Sequence, residues 1–333
     1  MTVFITGGAG FIGSHTILTL LEQGYDVAVA DNFCNSSPES LTRVKRLSGK
    51  DFPVYNMDVR DSGKLNDLFD KHDFGCVIHF AGFKSVGESI SAPLKYYANN
   101  LGSTIALCEV MKNHNVKNII FSSSATVYNA NNKMPLNENS LTGGCTNPYG
   151  WTKYMSEQII RDAAANNNIS AVLLRYFNPI GAHSSGEIGE DPIDIPSNLM
   201  PCIVQTAMGR KEILNVLGND YDTPDGTCIR DYIHVTDLAE GHATAIRYLE
   251  THTGAEVFNL GTGKGVSVLE LISAFEQTNG VIVPKRIVEP RSGDLAICYA
   301  NIEKAKNILG WTAKKTIAEA CADTWLWNIK NRK

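Results

Sequence analysis

The sequence predicts an α/β fold built on a doubly wound parallel sheet, with a second, smaller mixed α/β lobe assembled from later segments. Short apolar runs alternate with longer amphipathic runs through the N-terminal half, repeating about every 25 to 30 residues. After Arg175 this alternation gives way to a stretch rich in Gly, Pro and Asn. The length of 333 residues exceeds what one hydrophobic core usually serves, which indicates two lobes.

Each predicted element follows from its hydrophobic pattern. The continuous apolar runs predict six buried parallel strands: Val3–Thr6, Asp26–Ala30, Val54–Met57, Cys76–Phe80, Asn118–Ser122 and Ala171–Arg175. The amphipathic stretches between them predict helices: Gly13–Gln23, Gly63–Lys71, Tyr97–His114 and Tyr149–Asn166. Later in the chain we expect a helix near Met200–Gly209, α/β segments at Arg230–Leu249 and Val257–Leu260, and a final helix at Ala318–Lys330. The main domain is therefore predicted at residues 1–176 plus about 231–263, and the second lobe at about 177–230 plus 264–333.

Composition excludes several classes of protein. Hydrophobic residues make up 43% and charged residues 20%, which argues against a disordered, collagen-like or coiled-coil chain. The net charge of −5 supplies no basic surplus for nucleic acid or an anionic membrane. The eight cysteines form no C-x-x-C pair, and the eight histidines form no cluster with metal-ligand spacing. We therefore expect a cytoplasmic protein with reduced thiols, no metal, and a small molecule or a second copy of the chain as partner.

A glycine-rich loop directly follows the first predicted strand. Gly7, Gly10 and Gly13 form a G-x-x-G-x-x-G pattern, which lets the backbone approach a pyrophosphate held at a helix N-terminus. Asp31 closes the next strand, where a carboxylate binds the adenosine ribose and repels a 2′-phosphate, so NAD is favoured over NADP; a solvated turn Asp is the alternative. Asp58, after the third strand, is suited either to the adenine amino group or to capping a turn. The loop makes the predicted sheet one of the Rossmann type.

A second motif combines a tyrosine, a lysine and a serine. The spacing of four places Tyr149 and Lys153 on one helical face, and Ser124 follows the fifth predicted strand at the sheet edge where such folds bind ligands. To act as a base at neutral pH, the tyrosine pKa must fall by roughly three units, or about 4 kcal/mol. An ammonium and an oxidised nicotinamide are suitable causes. Without the glycine loop and Asp31, the pair would equally fit a core tyrosine beside a snorkelling lysine.

With these motifs, the chain resembles the extended short-chain dehydrogenase/reductase family and, within it, the UDP-hexose 4-epimerases. The resemblance runs from residue 1 to beyond 300 and includes further segments: Phe80–Lys84, Val86–Ser89, Tyr96–Asn100, Arg175–Pro179, Ser197–Pro201 and Gly226–Val235. It implies that NAD is held tightly while hydride passes from sugar C4 to the nicotinamide and returns to the opposite face of a 4-keto sugar. Tyr149 would take the proton of the 4-hydroxyl, Ser124 would bond the same oxygen, and Lys153 would bind the nicotinamide ribose and lower the pKa of Tyr149.

The resemblance also implies the binding residues. Those for NAD are Gly7, Gly10, Phe11, Ile12, Gly13, Asp31, Asn32, Phe33, Cys34, Asn35, Ser36, Asp58, Val59, Phe80, Ala81, Gly82, Phe83, Lys84, Asn99, Ser124, Tyr149, Lys153 and Phe177. Those for the UDP-sugar are Asn178, Asn198, Leu199, Asn215, Val216, Leu217, Arg230, Arg291, Ser292, Gly293, Asp294 and Cys298. Two guanidinium groups suit a diphosphate clamp, although either could instead form a surface ion pair. The apolar run around Leu217 fits a uracil pocket or a plain core strand.

Two details bear on the choice among family members. Sugar-nucleotide dehydratases carry acidic residues after the catalytic Ser/Thr, whereas Ser124 is followed here by Ala125-Thr126-Val127, which favours an epimerase. The retained Tyr149 and Lys153 argue against a catalytically silent NAD-binding regulator, and Asp31 argues against an NADPH-dependent reductase.

The position that abuts the sugar 2-substituent aligns with Cys298, whose small side chain leaves room for an acetamido group. We therefore expect UDP-N-acetylhexosamines (UDP-GlcNAc and UDP-GalNAc) as substrates beside UDP-hexoses. A slip of one residue would place Tyr299 there and give a strict UDP-glucose 4-epimerase. The helices 97–114 and 149–166 resemble those of a homodimer interface, but their apolar faces could equally cover the chain's own sheet. Pro38-Glu39 departs from the family pattern and is expected in a loop.

Overall fold

The computed structural model describes residues 1–167, 169–192, 198–291 and 293–331. Its strands, numbered in chain order, are β1 Thr2–Thr6, β2 Asp26–Asp31, β3 Val54–Asn56, β4 Phe74–His79, β5 Asn118–Ser124, β6 Ser170–Tyr176, β7 Asn178–Ile180, β8 Leu214–Leu217, β9 Ile229–Arg230, β10 Tyr232–His234, β11 Ala255–Leu260, β12 Val266–Ser267, β13 Lys285–Val288 and β14 Ile297–Cys298. Its α-helices are α1 Phe11–Glu22, α2 Pro38–Ser48, α3 Ser62–Phe69, α4 Val86–Ser91, α5 Pro93–Asn113, α6 Pro148–Asn167, α7 Leu199–Ala207, α8 Val235–Leu249, α9 Val268–Asn279 and α10 Ile317–Lys330.

The predicted doubly wound sheet is confirmed. Seven parallel strands lie in the order β11-β6-β5-β4-β1-β2-β3, and the strand order reverses between β1 and β4. Alternate side chains of each strand enter different cores: Val3 and Ile5 pack with residues of α1 and α8, while Phe4 packs with residues of α3 and α5. Because both faces of the sheet are covered, the strands are apolar throughout, and that continuity made them predictable from the sequence.

Local signals set the helix ends. Helix α2 begins at Pro38 after Ser37, whose Oγ accepts the N–H of Glu39, and it ends at Gly49 with a left-handed φ of 65°. The expectation of a loop at Pro38-Glu39 is therefore wrong, because Pro is favoured at the first helical position. Ser123 and Ser124 belong to the end of strand β5 rather than following it, since their backbones still pair with β6.

The second lobe has its own core between α7, α9 and α10, formed by side chains such as Ile203, Leu271 and Phe275. Three small sheets pair β7 with β10, β8 with β13, and β9 with both β12 and β14. Within the predicted segment 264–333, Ala305, Leu309 and Trp311 pack in the same core as residues of α8. There the indole N–H of Trp311 donates to the carbonyl of Asp237 at 3.0 Å.

The eight cysteines are free thiols. Among the residues that the structure describes, no helix is long and apolar enough to cross a membrane, and no three His, Cys, Asp or Glu side chains are grouped so that they could hold a metal ion.

Candidate active site

The glycine loop lies at the carboxyl edge of the sheet, where the strand order reverses. Gly7 has φ +70°, and a Cβ there would lie 2.6 Å from the backbone nitrogen of Ala81. A Cβ on Gly13 would lie 2.6 Å from the carbonyl oxygen of Gly7. Gly10 is the N-cap of α1 and contributes no side-chain cap to the first-turn N–H groups. The two tight contacts exclude larger residues, while the uncapped helix end presents backbone donors of the kind that bind a pyrophosphate.

Asp31, at the end of β2, is buried and ties this loop to the next one. One carboxylate oxygen accepts the N–H of Ala9 at 3.0 Å, and the other accepts the N–H of Phe33 and the Oγ–H of Ser36, both at 2.9 Å. A carboxylate offers about four acceptor positions, so capacity for a ribose hydroxyl remains. Together with the glycine loop, Asp31 fits the adenosine and pyrophosphate parts of NAD.

The other predicted NAD residues that follow β2 and β3 differ in exposure. Asn32, Cys34 and Asn35 are exposed, whereas Val59 is buried. Asp58 accepts the backbone N–H of Arg60 at 2.9 Å and pairs with its guanidinium at 2.6 Å, which lowers the pKa of the carboxyl group. This geometry matches the turn-capping alternative for Asp58.

The segment after β4 is held by an asparagine side chain. Phe80 and Ala81 both donate their N–H groups to the carbonyl of Thr6, at 3.0 and 3.1 Å. Asn100 accepts the N–H of Phe83 at 2.9 Å and donates to Thr152 on α6 at 3.0 Å. Phe11, Ile12, Gly82 and Asn99 are half-buried, Phe177 is buried, and Lys84 is exposed and pairs with Glu190 at 3.1 Å.

The three predicted catalytic residues meet where β5 ends beside α6. Ser124 lies close enough to Tyr149 to lower the pKa of its phenol. Ser124 Oγ also accepts the N–H of Thr126 at 3.2 Å and its Oγ1–H at 3.0 Å, so a short 3₁₀ turn holds it. Lys153 is buried and donates from Nζ to the carbonyl of Ser122, with Nζ 5.9 Å from the centre of the Tyr149 ring.

Burial dominates the electrostatics of this site. It raises the pKa of Tyr149 to about 12, against the hydrogen bond from Ser124, which lowers it. It also lowers the pKa of Lys153 to about 8, against the charge of Glu157, which raises it. The expected lowering of the Tyr149 pKa by Lys153 is not found: desolvation raises this pKa, and Ser124 is the group that opposes the rise. A phenolate at neutral pH requires a further positive charge beside the ring.

On the side of the second lobe, two arginines converge on one carboxylate. Asp294 pairs with Arg291 at 2.6 Å, and one of its oxygens lies 4.0 Å from Nη2 of Arg230. Because the two guanidinium groups share this partner, they are close enough to act on one diphosphate.

The remaining predicted substrate residues fall into three groups. Asn178 and Asn198 are exposed, and Asn198 is the N-cap of α7 without a side-chain cap bond. On β8, Asn215 accepts from Arg286 at 2.8 Å, the Val216 side chain lies in the core of the lobe, and Leu217 is exposed. Val216 thus matches the core-strand alternative. Leu199 is half-buried, Gly293 has φ +83°, and Ser292 lies outside the described residues.

Cys298 lies on β14 opposite Arg230 of β9. Its side chain packs beside the cluster that contains Phe177 and Ala125, the residue after Ser124. Tyr299 takes the opposite direction, with its ring 3.7 Å from the position of a Cβ on Gly265. Cys298 therefore lies beside the residues that follow Ser124, whereas the Tyr299 ring lies beside Gly265.

Two buried carboxylates beside the site were not predicted from the sequence. Glu157 accepts hydrogen bonds from Ser123 and Arg175, and Asp231 accepts four from the loop after β11 and from Ala300. The signal for Glu157 was its spacing of four from Lys153. Asp231 had no signal beyond its place after Arg230, because its partners are distant in sequence.

Comparison with known proteins gives a consistent result. Residues 3–261 match the NAD dependent epimerase/dehydratase family. The UDP-glucose 4-epimerases of Bacillus subtilis and Homo sapiens are each 54% identical to this chain; the alignments cover 99% of it and 98% and 97% of those proteins. The crystal structure of UDP-glucose 4-epimerase from Bifidobacterium longum in complex with NAD+ and UDP superimposes with a TM-score of 0.96 at 52% identity, covering 99% of both chains.

Proposed function

This chain belongs to the NAD dependent epimerase/dehydratase family, and on that premise we propose that it inverts C4 of UDP-hexoses, interconverting UDP-glucose and UDP-galactose. The observation that carries the proposal is the meeting of Ser124, Tyr149 and Lys153 at the carboxyl edge of an NAD-type sheet, with no carboxylate in the turn Ala125–Val127. NAD, when bound, supplies a positively charged hydride acceptor and, after oxidation of C4, the hydride donor that restores the alcohol.

The chain's own residues handle the proton and the orientation. Tyr149 Oη takes the proton of the sugar 4-hydroxyl and returns it to the same oxygen, so the overall reaction is neutral in protons. Ser124, held by Thr126, donates to that oxygen and fixes its position. The Lys153 ammonium adds positive potential beneath the phenol, 5.9 Å from the ring centre.

Separate anchoring allows the sugar to turn over. Arg230 and Arg291 bind the diphosphate, exchanging part of their pairing with Asp294 for phosphate oxygens. The hexose itself is neutral and is held less firmly, so it can present either face while UDP stays bound. A dehydratase is disfavoured because Ala125, Thr126 and Val127 offer no acid or base to remove the C5 proton and expel water.

We further propose that UDP-GlcNAc and UDP-GalNAc are interconverted as well. Support comes from the register of β14, which directs Cys298 rather than Tyr299 toward the cluster beside Ser124. A cysteine leaves most of the volume of a tyrosine ring free, and an acetamido group needs that volume. The competing function is strict UDP-glucose 4-epimerisation, for which the pocket at Cys298 would be closed by other side chains.

The test supplies purified protein with UDP-glucose or UDP-GlcNAc separately, without added NAD, and resolves the C4 epimers. We expect both pairs to interconvert, and Tyr149→Phe to lose about 10²- to 10⁴-fold in kcat. Cys298→Tyr should abolish turnover of the acetamido substrates and spare the hexoses, while Cys298→Ser retains both. Formation of UDP-galactose without UDP-GalNAc would refute the assignment of Cys298. No turnover of either substrate would refute epimerisation itself.

We also propose a homodimer formed through α5 and α6. These helices pack against each other and leave Ile105 and Met155 exposed by 43% and 36%. A second copy of the same helix pair would cover both apolar side chains.

A further inference from the structure

We propose that Glu157 is a positioning residue of the epimerisation proposed above. Its carboxylate fixes the strand end that carries Ser124 against the helix that carries Tyr149 and Lys153, and it keeps the Lys153 side chain in the ammonium form. The inference rests on the proposed function, because only a reaction at Tyr149 gives this arrangement a catalytic consequence.

The first support is the hydrogen-bond geometry. Glu157 Oε1 accepts from Ser123 Oγ and, at 2.9 Å, from Arg175 Nε, while Oε2 accepts from Arg175 Nη2 at 2.7 Å. The Glu157 and Arg175 side chains are each 3% exposed. One carboxylate therefore joins helix α6 to β5, at the residue next to Ser124, and to β6.

Helix geometry makes this connection relevant to catalysis. Tyr149, Lys153 and Glu157 are spaced by four and share one face of α6, directed at the carboxyl ends of β5 and β6. A rotation or shift of α6 that separates Glu157 from Ser123 would also change the distance between Tyr149 and Ser124. The ion pair is itself held, since the Arg175 guanidinium lies 4.7 Å from the ring centre of Tyr128.

The second support is the set of charges around Lys153. From α6 it faces Tyr149 and Glu157, from β4 it faces His79, and from β5 it meets the carbonyl of Ser122 and the ring of Phe121. Burial lowers the pKa of His79 to about 3, so His79 is neutral at working pH. Glu157 is thus the group that opposes the loss of the Lys153 proton.

Further charged and titratable groups face Glu157 itself. Arg175 lies on β6, Arg161 on α6 at 4.0 Å, and Cys145 in the segment before α6, where burial raises its pKa to about 11 and keeps it neutral. Removing the Glu157 charge leaves Arg175 unpaired beside the site. The loss of the negative charge of Glu157 and the unpaired positive charge of Arg175 both favour the neutral amine of Lys153.

The experiment separates charge from geometry with three variants of the full-length protein. Glu157→Gln removes the charge, Ser123→Ala removes one hydrogen bond but keeps the charge, and Glu157→Gln combined with Arg175→Gln removes the whole ion pair and leaves no unpaired buried guanidinium. Glu240→Gln, at an exposed position on α8, is the matched control. The readouts are kcat and KM from pH 6.5 to 9.5, and the NAD retained per chain after desalting over the same range.

We expect both variants that lack Glu157 to lose about tenfold in kcat at pH 7.5 with KM within about twofold. The alkaline limb of kcat and the pH at which NAD is released should both move down by about one unit in Glu157→Gln, and by less in the double variant, which has no unpaired guanidinium. Ser123→Ala should lower kcat without moving the alkaline limb of kcat or the pH of NAD release. The control Glu240→Gln should match the wild type.

If Glu157→Gln folds and neither its alkaline limb of kcat nor its pH of NAD release is shifted, the proposal is overturned. If Glu157→Gln does not fold, the same measurements on the double variant decide the question. If the wild type turns over neither UDP-sugar, the proposed function fails. The NAD-retention profile then still reports whether Glu157 holds the Lys153 proton.

Discussion

Asp231→Asn tests whether one buried carboxylate holds the substrate side of the site together. Its Oδ1 accepts the N–H and Oγ1–H of Thr262 at 2.8 and 2.7 Å, and its Oδ2 accepts the N–H groups of Gly263 and Ala300 at 3.0 and 3.2 Å. An asparagine has one oxygen, so two of the four donors would face its NH₂ group. Each buried donor left without a partner costs about 1 to 3 kcal/mol.

The net effect is smaller than the sum of these costs. Burial raises the pKa of Asp231, which means that the charged form is held at some cost, and the neutral amide relieves that cost. We therefore expect the free energy of unfolding to fall by about 2 to 3 kcal/mol. Because Asp231 follows Arg230 and its partner Ala300 lies two residues beyond Cys298, KM for the UDP-sugar should rise about three- to tenfold, with a smaller change in kcat.

Urea unfolding followed by tryptophan fluorescence gives the stability, and steady-state epimerisation gives KM and kcat. Asp67→Asn, at an exposed position on α3, is the control and should change neither. If Asp231→Asn stays within about 0.5 kcal/mol of the wild type with KM unchanged, the four donors have found other partners and the reasoning is refuted.

Two further predictions concern acid stability and assembly. Burial lowers the pKa values of His15, His79 and His242 to about 3, 3 and 4, so below pH 6.5 the unfolded chain takes up protons that the folded chain does not, and stability falls as the pH drops toward 4. His15→Gln should reduce the slope of unfolding free energy against pH between 6 and 5 by about 1.4 kcal/mol per pH unit; an unchanged slope in this variant would contradict this account. Ile105→Asp should shift the mass measured by light scattering from two chains to one, and Ile282→Asp, at an exposed residue after α9, should leave it unchanged; a dimer that persists in Ile105→Asp would exclude the α5–α6 interface.

The parts of the fold that were predictable from sequence are those where local pattern and burial agree. The strands of the main sheet were located to within two residues, because apolar side chains fill both of its faces. Helix α2 was missed because it buries only Leu41 and Val44, although Ser37, Pro38 and Gly49 carried signals for its ends. Helix α5 begins four residues before the prediction, at Pro93, because proline suits the first turn.

In the site, too, residues marked by a local sequence pattern were predictable, and those that depend on tertiary contacts were not. Gly7, Asp31, Tyr149 and Lys153 could be predicted as site residues because each combines a residue type with a fixed place after a strand or on a helix face. The ion pair of Glu157 with Arg175 depends on contact between a helix and a strand, which no local pattern encodes. The direction of the Tyr149 pKa could not be foreseen either, because it depends on how much of the phenol is desolvated.

The chain passes repeatedly between its two cores, and this path limits how recombination can exchange segments between related proteins. After β6 the chain enters the second lobe, returns for α8 and β11, leaves again at β12, comes back at Ala305–Trp311 and ends in α10. A recombinant that inherits the substrate preference of a relative must therefore receive at least three separate stretches together. A single crossover between Asp237 and Trp311 would take these two residues from different parents. The Trp311 indole would then have to donate its hydrogen bond to the Asp237 carbonyl of a helix α8 from another protein. Specificity in this scaffold should diversify through point substitutions at positions such as Cys298, since whole-lobe exchange is blocked by the path of the chain.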